Sequence, residues 1–337
     1  MSKVLTLCIP SYNMEKYLNR CIESLINTSI IDNLEVIIVN DGSKDNTLYI
    51  ANCYKERFPN SIIVIDKPNG HYGSCVNASL KIASGKYFRI LDADDWFDSK
   101  ALIHVVQRLT TLDTDVYFTK CMVQDFRKNK QVPRKYGKII WNQLLDLNQF
   151  DVPECVLSMH SLTYKTQLLR EINYKQTEGI CYTDTEYVYF PLSQAKTLFA
   201  EDIFLYQYYI GRDDQSMSLS SLERNMSHSY PLIERFCSDM SYLEGNKNAN
   251  MIHENFVRVA ATQLFIYSLL FFEKNEEREK KNKKLLEKLK STHPAEFNVI
   301  LNIKAMGLVP YIKLWYKYPV LFNIVRFFSK RMLIKFI

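Results

Sequence analysis

Apolar and polar residues alternate in blocks along the first hundred positions, and the block type switches between strand-like and helix-like. Residues 5–9 form a short apolar run ended by Pro10, and 15–26 then spaces Tyr17, Leu18, Cys21, Ile22 and Leu25 at helical intervals. The β-rich run 34–39 is closed by the turn formers Asn40-Asp41-Gly42-Ser43, after which Asp45 or Asn46 can cap a helix reaching about residue 58. Residues 61–65, 76–83 and 87–91 continue as strand, helix and strand, separated by the Pro68-Asn69-Gly70 turn and by Gly85. The last strand runs straight into Asp92-Ala93-Asp94-Asp95.

This rhythm predicts an α/β fold: a Rossmann-like, mostly parallel sheet flanked by helices, with right-handed connections. Ligands of such sheets lie beyond the carboxyl ends of the strands. The polar clusters Ser11-Tyr12-Asn13, Asp41-Gly42-Ser43 and Asp92-Ala93-Asp94-Asp95 all follow predicted strands, so one edge should gather them. Further on, the pattern predicts helices over 99–112, 161–171 and 184–194, strands over 115–123 and 201–209, and a basic loop over 126–138. From about 220 helical spacing dominates, with 253–273 amphipathic and 274–290 rich in Glu and Lys. The expected organisation is an α/β domain over 1–218, with halves of about 1–98 and 99–218, followed by a mainly helical region over 219–337.

Composition narrows the class. With 337 residues, 47% apolar and 24% charged, the chain can bury a sizeable core. Its 8 cysteines form no C-x-x-C pair and no metal-ligand spacing with His, which predicts reduced thiols in a reducing compartment. No signal peptide fits the N-terminus and no window of about 18 uncharged apolar residues occurs, so a cytoplasmic protein without a spanning helix is expected.

The net charge of +6 resides in the tail. After Glu296 there is no acid, while Lys304, Lys313, Lys317, Arg326, Lys330, Arg331 and Lys335 are all basic. Interleaved with Trp315, Tyr316, Tyr318, Phe322, Phe327, Phe328 and Phe336, these cations suit an anionic membrane surface, which predicts peripheral membrane contact through 305–337. A helix packed on the α/β domain is the other reading. Nucleic acid is not an expected partner, since the cations are confined to the tail and no recognition motif is present.

The acidic cluster carries the candidate chemistry. Three carboxylates within four residues repel one another unless a cation intervenes, and Mg²⁺ or Mn²⁺ takes one or two carboxylates together with phosphate oxygens. On an extended segment Asp92 and Asp94 would point the same way. A capped turn, with Asp95 or Asp98 as N-cap, is the plainer alternative. The glycine-rich fingerprints G-x-x-x-x-G-K-[ST] and G-x-G-x-x-G are absent, leaving phosphate charge to a metal.

Five segments in this order resemble the family 2 inverting glycosyltransferases, which have the GT-A fold. They are Ile9-Pro10-Ser11-Tyr12-Asn13 with Glu15 and Leu18, residues Val39 to Thr47, Asn69-Gly70 with Gly73 and Asn77, Gly85-Lys86-Tyr87, and Leu91 to Trp96. The resemblance is clear over about the first hundred residues and thins toward 218. It implies a nucleotide-sugar donor, most simply a UDP-sugar, bordered by Pro10, Tyr12 and Asn13. Asp41 would bond the base with Ser43 nearby, and Asn77 would approach from its helix. Asp92 would meet ribose or metal, and Asp94 would ligate the metal on the diphosphate.

Inverting transfer also needs a base for the acceptor hydroxyl. The resemblance implies Asp184 in Tyr182-Thr183-Asp184-Thr185-Glu186-Tyr187, with Glu186 as the fallback and Thr183 where the family usually has a second acid. Asp184 could equally cap the helix that begins there. His160 resembles an element lining the acceptor side, although a lone His is more often structural. Arg212, in Gly211 to Met217, resembles the loop that closes over the diphosphate. The implied acceptor is a glycan or lipid-linked glycan of cell-surface polysaccharide synthesis, met at the inner membrane face. Two other functions stay open: a nucleotidyltransferase, opposed by Pro10-Ser11-Tyr12-Asn13 where a glycine-rich loop should be, and a non-enzymatic nucleotide-sugar binder.

Overall fold

The computed structural model describes residues 3–26, 29–153, 157–211, 218–304, 309–323 and 326. Cys155, Arg212 and most of the basic tail lie outside these described residues. The chain divides into two compact units, Met1–Arg212 with Glu244–Ala249 and Asp213–Leu243 with Asn250–Ile337.

The first unit is built on one sheet. Strands β1 (Leu5–Ser11), β2 (Leu34–Asp41), β3 (Ile62–Lys67) and β4 (Tyr87–Ile90) pair in parallel in the order β3-β2-β1-β4. Helices α1 (Leu18–Glu23), α2 (Thr47–Arg57) and α3 (His71–Ile82) make the crossovers. β1 and β2 read as near-continuous apolar runs because both faces are covered, and Leu5, Leu7, Ile9, Val36 and Ile38 are all fully buried. Strand order reverses between β1 and β4, the point where such sheets hold ligands.

Beyond β4 the sheet becomes mixed. β5 (Trp96–Phe97) leads into α4 (Ser99–Thr111), whose N-cap Asp98 accepts from Ala101 N at 2.9 Å. β6 (Val116–Asp125) pairs in antiparallel with β7 (Lys130–Pro133), so the basic segment 126–138 contains an edge strand rather than loop alone. β8 (Leu144–Asp146) pairs at the far side with the long strand described below.

The expected helix over 161–171 is corrected. Residues Leu162–Lys165 form β9, and only Thr166–Glu171 is helical, as α5. β9 inserts antiparallel between β4 and β6, where Leu162 and Tyr164 are fully buried. Pairing on both edges overrides a short helical pattern. Helix α6 (Asp184–Gln194) follows, and β10 (Thr197–Ile210) runs parallel to β6 and antiparallel to β5. Residues 244–249 return to this unit: Asn246 donates to the Leu192 and Ala195 carbonyls, and Asn248 to that of Leu147.

The second unit is helical: α7 (Leu219–Arg224), α8 (Ser229–Ser238), most of α9 (Ala249–Ile266), α10 (Glu276–Thr292), α11 (Pro294–Leu301) and α12 (Tyr311–Lys317). After α9 the turn Tyr267–Phe271 is π-helical. Within it the buried Asn282 bridges Tyr230 and Ser268 at 2.7 and 3.0 Å. No helix among the described residues is long and apolar enough to cross a membrane. The seven described cysteines are free thiols.

Candidate active site

The β1–α1 and β2–α2 loops are laced together. Asn13 N donates to Ser43 Oγ (3.0 Å), Lys44 N to Asn13 Oδ1 (2.9 Å), Met14 N to Thr47 Oγ1 (2.7 Å) and Glu15 N to Asp45 Oδ2 (3.1 Å). Asp45 also accepts from Thr47 N, opening α2. Burial works against the Asp45 carboxylate, but the bonds from Thr47 and Glu15 N hold its pKa below the ordinary value. Several motif positions therefore serve to join two strand ends. Beside them Tyr12 is 44% exposed, presenting an aromatic face at the rim, and Pro10 sits half-buried at the end of β1.

Asp41 ends β2 in a buried position. Its Oδ1 accepts from Lys67 Nζ at 2.6 Å and from Gly70 N at 2.9 Å, tying β2 to the turn before α3. Gly42 has φ +72°, and a Cβ there would stand 2.9 Å from Asn69 N, so no side chain fits. Asn77 turns away from the expected nucleotide role. Its amide donates to Gln176 O and Glu178 Oε1 and accepts from Gln176 N, at 2.8–2.9 Å, stapling α3 to the 176–178 segment. Gly73 permits that approach, since a Cβ would meet Thr177 O at 2.1 Å.

The acidic cluster forms a tight turn. Asp95 N donates to Asp92 O at 2.9 Å, so the segment is not extended and Asp92 pairs in space with Asp95, three residues on. Ligand atoms of Asp92, Asp95 and His160 lie within 4.8 Å of one another, and Asp94 is not in that group. Asp95 is buried and occupied, accepting from Tyr206 OH and Tyr209 N, both at 2.7 Å. Burial, then the neighbouring Asp94 and Asp92 charges, push its carboxyl well above the ordinary range. Behind the turn, Arg20 donates to Asp94 O at 2.8 Å and stacks over Trp96 and Tyr209 at 4.0 and 4.7 Å.

His160 faces this turn, with Nε2 4.0 Å from Asp92 Oδ2 and its ring against Tyr206 and Tyr208. Burial, then the Arg134 and Arg89 charges, lower its pKa to about 3, so the imidazole is neutral. Its carbonyl accepts from the fully buried Arg89 at 2.5 Å, and Arg89 also donates to Thr119 and Thr163 at 3.1 and 2.9 Å. That guanidinium locks β4, β6 and the start of β9 into one register.

Asp184 opens α6 and is half-buried. Burial raises its pKa, opposed by the amides of Thr185 and Asp184. Tyr182, two residues before, holds φ +68°, and His71 at the start of α3 holds φ +63°. These are unfavourable for such side chains and mark segments pinned by their surroundings. His71 Nδ1 lies 3.7 Å from Cys181 Sγ, joining the two segments. Glu186, the fallback base, is fully buried and accepts from Thr177 N and Oγ1, both at 2.7 Å. Its carboxylate anchors the segment around Thr177 to α6.

Residues 6–167 match the family described as Glycosyl transferase family 2. Residues 6–167 belong to glycosyl transferase family 2. Among curated relatives of this domain, chondroitin synthase of Pasteurella multocida (strain Pm70) is 39% identical over 99 residues, covering 29% of this chain and 10% of that protein. Poly(ribitol-phosphate) beta-glucosyltransferase of Bacillus spizizenii is 28% identical over 222 residues, covering 64% of this chain and 34% of that protein. The chain thus matches about a tenth to a third of these relatives' length. Among solved structures, S. aureus TarS 1–349 in complex with UDP-GlcNAc superposes with a TM-score of 0.64 at 17% identity, covering 98% of this chain and 92% of that one. The fold of the family 2 domain is GT-A.

The domain brings Pro10, Tyr12, Asn13, Asp41, Ser43, Asp92 and Asp94 to the carboxyl ends of β1, β2 and β4, and Arg212 lies outside the described residues. Sequence reasoning missed Tyr72, Arg89, Asp95 as a buried acceptor, and Tyr206. Arg89 was open to notice, since a charged residue inside the apolar strand 87–91 needs buried partners.

Proposed function

We propose that this chain moves a sugar from a nucleotide-diphosphate sugar, most simply a UDP-sugar, to an acceptor hydroxyl with inversion. The observation that carries the reading is that family 2 positions follow three parallel strands of one sheet, with Asp92 and Asp184 both close to Tyr72. Asp41 and Ser43 would receive the base, Tyr12 would stack on it, and Asp92 with Asp94 would meet ribose and diphosphate. The crowded carboxylates fit a hard divalent cation, because ligand atoms of Asp92, Asp95 and His160 lie within 4.8 Å of one another and Asp94 is adjacent in sequence. Asp92 and Asp94 would hold Mg²⁺ or Mn²⁺; Asp94 is outside the group that Asp92 forms with Asp95 and the neutral His160, so its side chain would turn toward the ion. When bound, the ion absorbs charge on the departing diphosphate. Asp184 takes the acceptor's proton, favoured by the raised pKa that burial imposes.

The relatives' printed names, a chondroitin synthase and a poly(ribitol-phosphate) glucosyltransferase, support an acceptor in cell-surface polysaccharide synthesis. The acceptor is a glycan or lipid-linked glycan, reached at the inner face of the membrane through the basic aromatic tail. The catalytic domain spans 1–218, and 219–337 forms the helical region that bears this tail. Release of UDP from a panel of UDP-sugars, with and without EDTA, tests the reading. Turnover is expected with at least one donor in MnCl₂ and none in EDTA; equal release in both would remove the metal-dependent mechanism.

A further inference from the structure

Asp92 has a partner that the mechanism above leaves unused. Tyr72, the second residue of α3, donates its phenol to Asp92 Oδ1 at 2.8 Å, and its oxygen also lies 3.5 Å from Met159 Sδ. Asp92 Oδ2 lies 4.0 Å from His160 Nε2. The carboxylate is therefore gripped on one oxygen and directed toward the imidazole with the other. Tyr72 follows His71, whose ring touches Cys181, three residues before Asp184. Gly179 N donates to Gly70 O at 2.9 Å, closing the same junction from below. Burial, then the Asp92 and Asp184 charges, raise the phenol pKa well above its usual value, so it stays a donor.

We propose that Tyr72 is a positioning residue for Asp92: its hydroxyl fixes the carboxylate in one rotamer before the nucleotide diphosphate binds. The proposal rests on the reading of Asp92 as a donor-binding residue. A carboxylate on a tight turn beside two others has several rotamers of similar energy. A charge-assisted hydrogen bond from a half-buried phenol selects one before the donor arrives. Met159, buried at 3% exposure, meets the same phenol oxygen through its sulfur.

Tyr72→Phe keeps the ring and removes only the hydroxyl. Isothermal calorimetry with UDP in MnCl₂ is expected to show affinity weakened about tenfold, the ratio associated with one hydrogen bond to a charged group. KM for the UDP-sugar should rise by a similar factor while kcat stays within about threefold. In an Asp92→Asn background the same change should add nothing further. Unchanged UDP affinity, or an equal loss in the Asp92→Asn background, overturns the assignment. So does a drop in thermal midpoint of more than a few degrees, which would make the hydroxyl a folding group. Wild-type protein that binds no UDP would sink the functional reading and this proposal with it, whereas a silent Tyr72→Phe in a UDP-binding protein sinks the proposal alone.

Discussion

Two regions of the sheet-bearing unit hold their candidate residues by different means. At the ends of β1 and β2 the bonds join neighbouring loops: Asn13 to Ser43, Met14 to Thr47 and Asp41 to Lys67 span 30, 33 and 26 residues. Around His160 and Asp184 they span far more, 71 from Arg89 to His160, 99 from Asn77 to Gln176 and 111 from Tyr206 to Asp95. The first region is a set of adjacent parallel strands whose turns meet through short polar side chains. The second is assembled by buried polar groups that reach across the sheet. The first kind leaves a compact motif in sequence, while the second leaves scattered single residues.

The strongest test of this contrast is Asp184→Asn. Turnover should fall on the order of a thousandfold, while UDP affinity, which belongs to the other region, stays within about twofold. Because burial raises the Asp184 pKa, wild-type activity should fall on acidification at a pH above the ordinary carboxylate range. Glu186→Gln is the matching control. It should lose stability through the Thr177 bonds yet retain measurable turnover, and a loss as deep as that of Asp184→Asn would reassign the base.

The next test compares anchors. Arg89→Met strands three buried acceptors and should lower the unfolding free energy by about 3 kcal/mol in urea denaturation. Asp45→Ala, which removes the acceptor of Glu15 N and Thr47 N between adjacent loops, should lower it by about 1 kcal/mol. Equal losses would erase the distinction between the two regions.

The smallest effect concerns Glu201 on β10. Burial raises its carboxyl, but the bonds from Tyr117 and His104 and the charge of Arg108 outweigh it and leave the pKa below 4.5. A depressed folded-state pKa contributes stability that is present above the unfolded value and lost as pH falls through the folded one. Wild-type stability should therefore decline from about pH 4.5 downward. Glu201→Gln should flatten that slope, and an unchanged slope would place the acid sensitivity elsewhere.

Much of the first region was legible. The alternation of apolar runs and helical spacing places β1 to β4 and their crossovers, and α3 differs only in beginning at His71 instead of near 76. Residue 161–171 was misread because Leu162, Tyr164 and Leu168 suit either period, and only β4 and β6 on either side decide for a strand. Asn77 was assigned to the nucleotide by its place in the motif, yet its amide is spent on Gln176 and Glu178, ninety-nine and more residues away.

By itself the sequence determined the α/β order, the edge on which the polar clusters gather, and the crowding of Asp92, Asp94 and Asp95. Periodicity and turn chemistry act over a few residues and are written locally. Only the tertiary structure decided that the acidic segment turns, bringing Asp92 together with Asp95 and His160, and that Glu186 is buried and bonded to Thr177. The reason is that a buried polar group's role depends on which partner reaches it, and here those partners come from strands and loops distant in the chain.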